Sequence, residues 1–522
     1  MIRTLEELLD ATAARFPDRI YIEYGAKKIT YCQAAAVSRK FAQVLRDRGV
    51  TAGDRVALWL PNCPEFVFAF FAVLRAGAVA VPVNTLLLRE EARYIVEDAG
   101  AKVMVCSAGK AQEAKNILSR VPSLEWIAVS PGSETGNGVF SFWELVRAAE
   151  ELQEGPPAEP LRLAEIVYTS GTTGRPKGAC LTHRNLLANV NDCAQVIRAN
   201  KRDVFICLLP LFHSFASTVC MLLPCAAGAK TVILRSVRPF KRVVRTILRK
   251  RVTVFIGVPS LYGILSEMRL PFARRILAAL LNPVRVCISG AAALPPQVTR
   301  RFEKKFRRPL LQGYGLTEAS PVVSLNPLKG RRVPESVGVS LPSVRVRIED
   351  PRGNECAPGE VGELVVSGPN VMQGYFHLDE ATARTLRNGW LYTGDLAKKD
   401  TLGFLYIMGR AKEMINVRGL NVYPREIEEV LYRCPGVHEA AVVGVMHRRR
   451  GEVPVAFVAA EAHVEERRLM RHLRESIASY KVPLRIIKKP VLPKNPTGKI
   501  VKSELQREAS KLFTRGENAP SL

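Results

Sequence analysis

Tyr168-Thr-Ser-Gly-Thr-Thr-Gly-Arg-Pro-Lys-Gly178 packs three glycines, four aliphatic hydroxyls and one lysine between two apolar segments. Leu163 to Val167 reads as a strand leading in, and Leu181 to Val190, with His183 and Asn185 at its start, as a helix leading out. A strand–loop–helix unit with this chemistry suits a polyphosphate. Glycines let the backbone approach the oxygens, and N–H groups and hydroxyls can converge on one anion. Lys177 adds a mobile positive charge. The loop is not a Walker A motif, which needs a hydroxyl residue directly after Gly-Lys to hold a metal. Lys177 stands between Pro176 and Gly178, so the loop disfavours an enzyme that transfers the terminal phosphoryl group. A ligand-free Gly/Ser turn would account for a lone GTTG, but less well for eleven consecutive residues of this kind.

Working outward, the first half alternates strand and helix patterns. Glu65 to Gly77 and Arg89 to Ala99 read as helices, and Val79 to Pro82, Lys102 to Cys106 and Trp126 to Val129 as strands. Such alternation predicts mostly parallel sheets covered by helices. After about Pro334, short strands at Val344 to Ile348, Val361 to Ser367, Leu391 to Leu396 and Phe404 to Met408 predict a small antiparallel, barrel-like subdomain. From Ala411 a compact α/β pattern returns, with helices at Pro424 to Arg433 and Glu465 to Ser479 and strands at Val437 to Val445 and Val455 to Ala460. The expectation is an α/β protein in two parts. A large N-terminal domain (1–410) has two mostly parallel sheets and a β-rich subdomain at about 334–410. A small, mobile α+β domain (411–522) follows.

At 522 residues the chain exceeds a single core, and its apolar share of 47% and charged share of 24% are those of a globular protein. Its 11 cysteines form no CxxC pair, which points to a reduced, cytoplasmic setting without a structural zinc site. The opening Met-Ile-Arg-Thr-Leu-Glu-Glu carries no signal-peptide pattern. The apolar stretches Phe66 to Leu74 and Phe215 to Ala229 fall short of the about 20 residues that span a bilayer.

The net charge of +27 suits an enzyme of anionic substrates, or a protein near acidic lipid or nucleic acid. Much of it is local. Arg235, Arg238, Lys241, Arg242, Arg245, Arg249, Lys250 and Arg251 follow one another with no acidic residue between them. Phe240, Val243, Val244, Ile247 and Leu248 keep helical spacing there. The pattern predicts a basic-faced helix docked on the core by its apolar stripe, with peripheral contact to an acidic membrane as the second reading. Nucleic acid is disfavoured, since no stacking platform or recognition motif accompanies the charge.

Further stretches complete an ordered set: Leu209-Pro-Leu-Phe-His-Ser214, Ser289-Gly-Ala-Ala-Ala293, Gly313-Tyr-Gly-Leu-Thr-Glu318, Tyr392-Thr-Gly-Asp395, Gly409-Arg-Ala-Lys412 and Pro493-Lys-Asn-Pro-Thr-Gly-Lys499. With the opening loop, and over nearly the whole chain, they resemble the adenylate-forming superfamily of acyl- and aryl-CoA synthetases, adenylation domains and luciferases. Tyr314 to Asn326 is most similar to the fatty acyl-CoA synthetases.

The resemblance implies that a carboxylic acid reacts with ATP to give acyl-AMP and pyrophosphate, and that CoA then displaces AMP. It implies that Thr169, Ser170, Gly171, Thr172, Thr173, Gly174 and Lys177 hold the β- and γ-phosphates, and that Glu318, with Thr172, holds Mg2+. Glu318 also reads as a helix-start carboxylate, and Asp395 as a turn residue after Gly394. By resemblance Asp395 grips the ribose diol with help from Arg410. Gly290, Ala291 and Tyr314 form the adenine slot, and Thr317 meets the α-phosphate. Lys499 stabilises charge between the carboxylate and the α-phosphate, Lys412 is a hinge, and Gly419 borders the pantetheine tunnel. His213 borders the acyl and thiol sites in a positioning role, although packing after Phe212 would also explain it.

Phe212, Phe215, Val258, Gly313, Val322 and Val323 are the expected acyl pocket. All are apolar or small, which favours a hydrophobic monocarboxylate over a dicarboxylate. The leading expectation is a medium- or long-chain fatty acid–CoA ligase. Alternatives are an aryl-CoA ligase of the coumarate or succinylbenzoate type and an acyl-AMP ligase serving a carrier protein; nothing specific favours a luciferase-like monooxygenase. Monomer and homodimer are both compatible with the sequence.

Overall fold

The computed structural model describes residues 2–132, 136–169, 175–237, 239–268, 283–417, 420–447, 451–494 and 500–514. Two large sheets carry the first three-quarters of the chain. One runs in the order Gly374–Tyr375, Lys177–Thr182, Leu163–Thr169, Val79–Pro82, Arg55–Trp59, Ala101–Ser107, Trp126–Ser130, Val139–Ser141. Its last six strands are parallel, and its first two are each antiparallel to the next strand in the order. The second has nine strands, with Val204–Cys207, Lys230–Ile233, Val254–Gly257, Val286–Ser289 and Leu310–Gly315 parallel at its centre.

Helices fill the main core. Within the helix Pro64–Arg75 the nine residues from Phe66 to Leu74 are all apolar, and Phe66, Phe68, Phe70 and Phe71 are all fully buried. A helix with no polar side has to lie inside, and each phenylalanine contributes about 2–3 kcal/mol of burial. The stretch 214–227 is also helical, with a wider π turn at Thr218–Leu222 just before Pro224. Pro224 has no N–H to donate, and the wider turn adjusts the hydrogen-bond ladder around it.

The opening unit differs from expectation. Leu163–Thr169 is a strand, but the chain returns antiparallel through Lys177–Thr182 before any helix begins. The helix is His183–Ile197, two residues later than its pattern predicts. The Thr182 hydroxyl accepts from the Asn185 N–H at 3.2 Å, and the Asn185 side chain accepts from the Thr182 N–H at 2.8 Å. This reciprocal cap fixes the start. The loop's two flanks are therefore the legs of an antiparallel pair, and the helix begins only after the second leg.

The expected antiparallel subdomain is a five-stranded sheet that includes Arg345–Glu349, Gly362–Ser367, Trp390–Lys399 and Leu405–Arg410. The Leu405 carbonyl accepts from the Val337 N–H and its own N–H donates to the Gly338 carbonyl, tying this subdomain to the chain that enters strand Val339–Ser340 of the nine-stranded sheet. Beyond Arg410, the hairpin Ile415–Val417/Leu420–Val422 and the strands Val437–His447, Gly451–Ala460 and Arg485–Lys488 pack with three helices around their own cores, centred on Ile427 and Phe457.

Candidate active site

The strand Lys177–Thr182 pairs on one side with Leu163–Thr169, register Thr169↔Lys177, and on the other with Gly374–Tyr375, register Tyr375↔Ala179. This places the Tyr375 ring 5.2 Å from the Lys177 ammonium. Thr169 Oγ1 donates to the Lys177 carbonyl at 3.4 Å. A Cβ on Gly178 would meet Ile166 at 2.6 Å, so the hairpin closes only with glycine there. Ser170, Gly171, Thr172, Thr173 and Gly174 lie outside the described residues.

Glu318 sits on the single 3-10 turn Thr317–Ala319, not at a helix start. The Tyr375 hydroxyl donates to its Oε1 at 2.9 Å. Burial and the Glu318 charge together push the Tyr375 phenol up. Thr317 and Ser214 share a hydrogen bond between their hydroxyls at 3.2 Å. The preceding residue, His213, caps the helix that follows by accepting from the Phe215 N–H at 3.2 Å. The 213–215 and 317–318 segments thus meet directly. Gly315 is required between them and Tyr314, because a Cβ would come within 2.0 Å of the Pro321 carbonyl oxygen.

Asp395 lies within the strand Trp390–Lys399, not in a turn, and is 5% exposed. Its neighbour in register is Arg410. Arg410 Nε meets Asp395 Oδ1 at 2.8 Å, and the Tyr314 hydroxyl donates to Oδ2 at 2.5 Å. Arg410 also donates to the Thr393 carbonyl at 2.9 Å. A carboxylate oxygen can accept more than one hydrogen bond, which is the chemistry a diol requires. Burial first, then the Asp395 charge, raises the Tyr314 phenol far above its usual range and keeps it a donor. Burial opposes the Arg410 charge, yet Asp395, Tyr314 and Glu318 hold its pKa above normal. Arg410 therefore links the Asp395 and Glu318 clusters electrostatically.

Gly290 is packed from one side by Phe215, whose ring would lie 2.7 Å from an added Cβ. Ala291 beside it is left-handed, φ 69°. Phe212, Phe215, Val258, Val322 and Val323 all belong to or pack on the main core cluster. Lys412 occupies the exposed turn Ala411–Glu413, directly after Arg410; partial burial, and Arg410 after the opposing Glu413, lower its pKa. Gly419 and Lys499 lie outside the described residues.

Tyr375, Ser214 and Thr393 are site neighbours that sequence reasoning missed. Ser214 and Thr393 lie inside motifs quoted above without a role assigned to them, and Tyr375 lies outside every motif, its only trace an aromatic after Gly374. Cavities of about 480 Å³ beside Arg184 and Arg345, and about 150 Å³ beside Thr299 and Gln312, contain none of these residues. Among the described residues no cluster of three His, Cys, Asp or Glu side chains is present. Glu318, with one oxygen bonded to Tyr375, fits a cation that takes its other oxygen ligands from phosphate and water.

The model for AMP-binding enzymes matches residues 9–376, and that for their C-terminal domain matches 426–499. The chain belongs to the AMP-binding enzyme family. This AMP-binding enzyme is 35% identical to the long-chain-fatty-acid–CoA ligase of Bacillus subtilis (strain 168), over 97% of its own length and 94% of the relative's. It is 37% identical to a feruloyl-CoA synthase of Amycolatopsis sp., over 94% and 96%. The ATP-bound crystal structure of MatB from Rhodopseudomonas palustris superposes with a TM-score of 0.90 at 32% identity, covering 97% and 99% of the two chains.

Proposed function

We propose that this enzyme activates a hydrophobic carboxylic acid, a medium- or long-chain fatty acid, as its acyl-CoA thioester. The class itself, an AMP-forming acid–thiol ligase using ATP and CoA, follows from the full-length similarity to CoA ligases. The observation that carries the acid assignment is the uncharged character of Phe212, Phe215, Val258, Gly313, Val322 and Val323, which offer a second carboxylate no partner.

In the first step a carboxylate oxygen attacks the α-phosphorus, the bond to the bridging oxygen breaks, and pyrophosphate leaves. Thr169, Ser170, Gly171, Thr172, Thr173, Gly174 and Lys177 hold the leaving group. Glu318, oriented by Tyr375 and assisted by Thr172, would hold Mg2+, which supplies charge neutralisation at the phosphates. Tyr314 stacks on adenine above Gly290 and Ala291. Asp395, oriented by Arg410 and Tyr314, accepts from the ribose diol. Thr317 meets the α-phosphate, and Lys499 offsets charge building between the carboxylate and phosphorus. In the second step the CoA thiol sulfur attacks the acyl carbonyl, loses its proton, and expels AMP. The segment from Ala411 onward turns about Lys412 between the two steps, bringing Gly419 to the thiol path, and His213 positions the acyl group.

A screen of pyrophosphate release across fatty acids of increasing length, aryl acids and malonate, with and without CoA, tests the reading. Preference for fatty acids with CoA-dependent thioester formation is expected; preference for malonate overturns it. The feruloyl-CoA synthase similarity supports an aryl acid as the second reading.

A further inference from the structure

The helix Phe240–Arg249 turns two unlike faces outward and inward. Val243 is fully buried, and Phe240, Val244 and Ile247 pack on the core around Phe255 and Tyr262. Lys241, Arg242, Arg245 and Arg249 are exposed. Among the described residues none of the four has a carboxylate partner. Ordinary solvated helices mix their signs, as Arg89–Asp98 does: there Arg93 meets Glu90 at 2.9 Å and Glu97 at 2.5 Å. No acid stands on Phe240–Arg249 at all.

The basic surface continues past the helix. Lys250 and Lys230 both bond Glu23, whose register partner on the edge strand is Lys28. Lys27 and Lys28 are exposed, and Arg235 and Arg242 reach the neighbouring Tyr24 electrostatically. Glu23 is thus consumed beneath the band, and Glu65, which also reaches Tyr24, accepts from the Trp143 indole N–H. Leu248 stands in the outward stripe with Lys241 and Arg245, at helical spacing, and is 47% exposed.

We propose that this face docks the enzyme on an anionic lipid bilayer. The helix presents a rigid basic ridge about 15 Å long, matched in sign to acidic headgroups, with Leu248 at headgroup depth. Among the described residues the outward face of the helix carries no aromatic on which a base could stack, and the neighbouring Tyr24 is half-buried, which separates the face from a nucleic-acid groove. Its attraction is electrostatic, because its apolar stripe is already spent on the core. The strand and helix that follow lead through Val258, an expected acyl-pocket residue, into Pro259–Glu267. This proposal rests on the hydrophobic-acid reading only for its purpose: such acids partition into bilayers, and docking places the pocket beside the supply.

Co-sedimentation of the full-length protein with phosphatidylcholine vesicles, with and without phosphatidylglycerol, tests it. ATP and acid are omitted, so the outcome does not depend on catalysis. Binding only to the anionic vesicles, falling steeply with added salt, is expected. Each basic residue contributes roughly five-fold at such a surface, so K241Q/R245Q/R249Q should bind about 100-fold more weakly while turning over a short soluble acid normally. R245Q alone, at about five-fold, gives the same reading should the triple variant lose stability. Equal binding to neutral vesicles, full binding by the variants, or equally tight binding to duplex DNA overturns the proposal.

Discussion

Tyr375 donates to Glu318 across 2.9 Å although the two are 57 positions apart. The bond exists because Gly374–Tyr375 adds a strand beside Lys177–Thr182. A hydrogen bond to a charged group is worth about 1.5–3 kcal/mol. Tyr375→Phe should therefore slow pyrophosphate release about 10- to 100-fold. The Mg2+ concentration for half-maximal rate should rise as well. A metal titration that leaves this midpoint unchanged would show that Tyr375 does not orient the cation ligand.

Asp395 holds together Arg410 and Tyr314 at the proposed ribose site. Asp395→Ala is expected to raise the KM for ATP by about 100-fold, from two lost charged hydrogen bonds. It should also lower the melting temperature, because it leaves the Arg410 charge without its carboxylate. Initial rates over an ATP series and a thermal melt on the same sample check both halves.

Lys499→Ala should abolish acyl-AMP formation yet leave thioester formation from supplied acyl-AMP largely intact. Lys177→Ala should slow adenylation less severely, as a phosphate contact in the loop. Equal loss of both half-reactions in the Lys499 variant would reject its role.

Lys412→Pro is expected to leave pyrophosphate release nearly unchanged and to impair thioester formation, because a fixed φ stiffens the turn. Measuring the two half-reactions separately decides it.

Two buried groups shape stability against pH with opposite signs. Burial lifts the Glu165 carboxyl from 4.5 to about 8. Its folded state holds a proton that the unfolded state releases, so stability falls as pH rises from about 4.5 to 8. Burial, then Arg162, depresses His183 from 6.5 to about 3. The unfolded state takes up that proton first, so stability also falls as pH drops below about 6.5. The slopes oppose one another where the windows overlap, which puts the stability plateau in mildly acid solution. Glu165→Gln should flatten the alkaline arm and raise the melting temperature at pH 8 relative to the parent. An unchanged arm in a series of melts would show that Glu165 is not its source.

Periodicity and length made most elements legible. Pro424–Arg433 and Val79–Pro82 fall where their patterns predict. The short apolar run Lys177–Thr182 is where local reading failed, since such a run suits either a strand or the first turn of a helix. Its pairing with Leu163–Thr169 decides the matter, and that pairing is a tertiary fact. The same holds at the site. Ordered motifs pointed to Asp395, Arg410, Tyr314 and Glu318, but not to the Tyr314–Asp395 bond, because side-chain partners so far apart leave no spacing rule. Tyr375 escaped notice for the same reason. Reading Glu318 as a helix start failed because Ala319 ends a single turn.

The strand Lys177–Thr182 is shared property. One edge pairs with Leu163–Thr169, the strand that leads into the proposed phosphate loop, and the other holds the strand that carries Tyr375. The proposed grip on the leaving group and the proposed seat of the metal ligand are then two ends of one stiff part. A substitution that shifts this strand sideways would move Lys177 and Tyr375 together, coupling the two proposed roles.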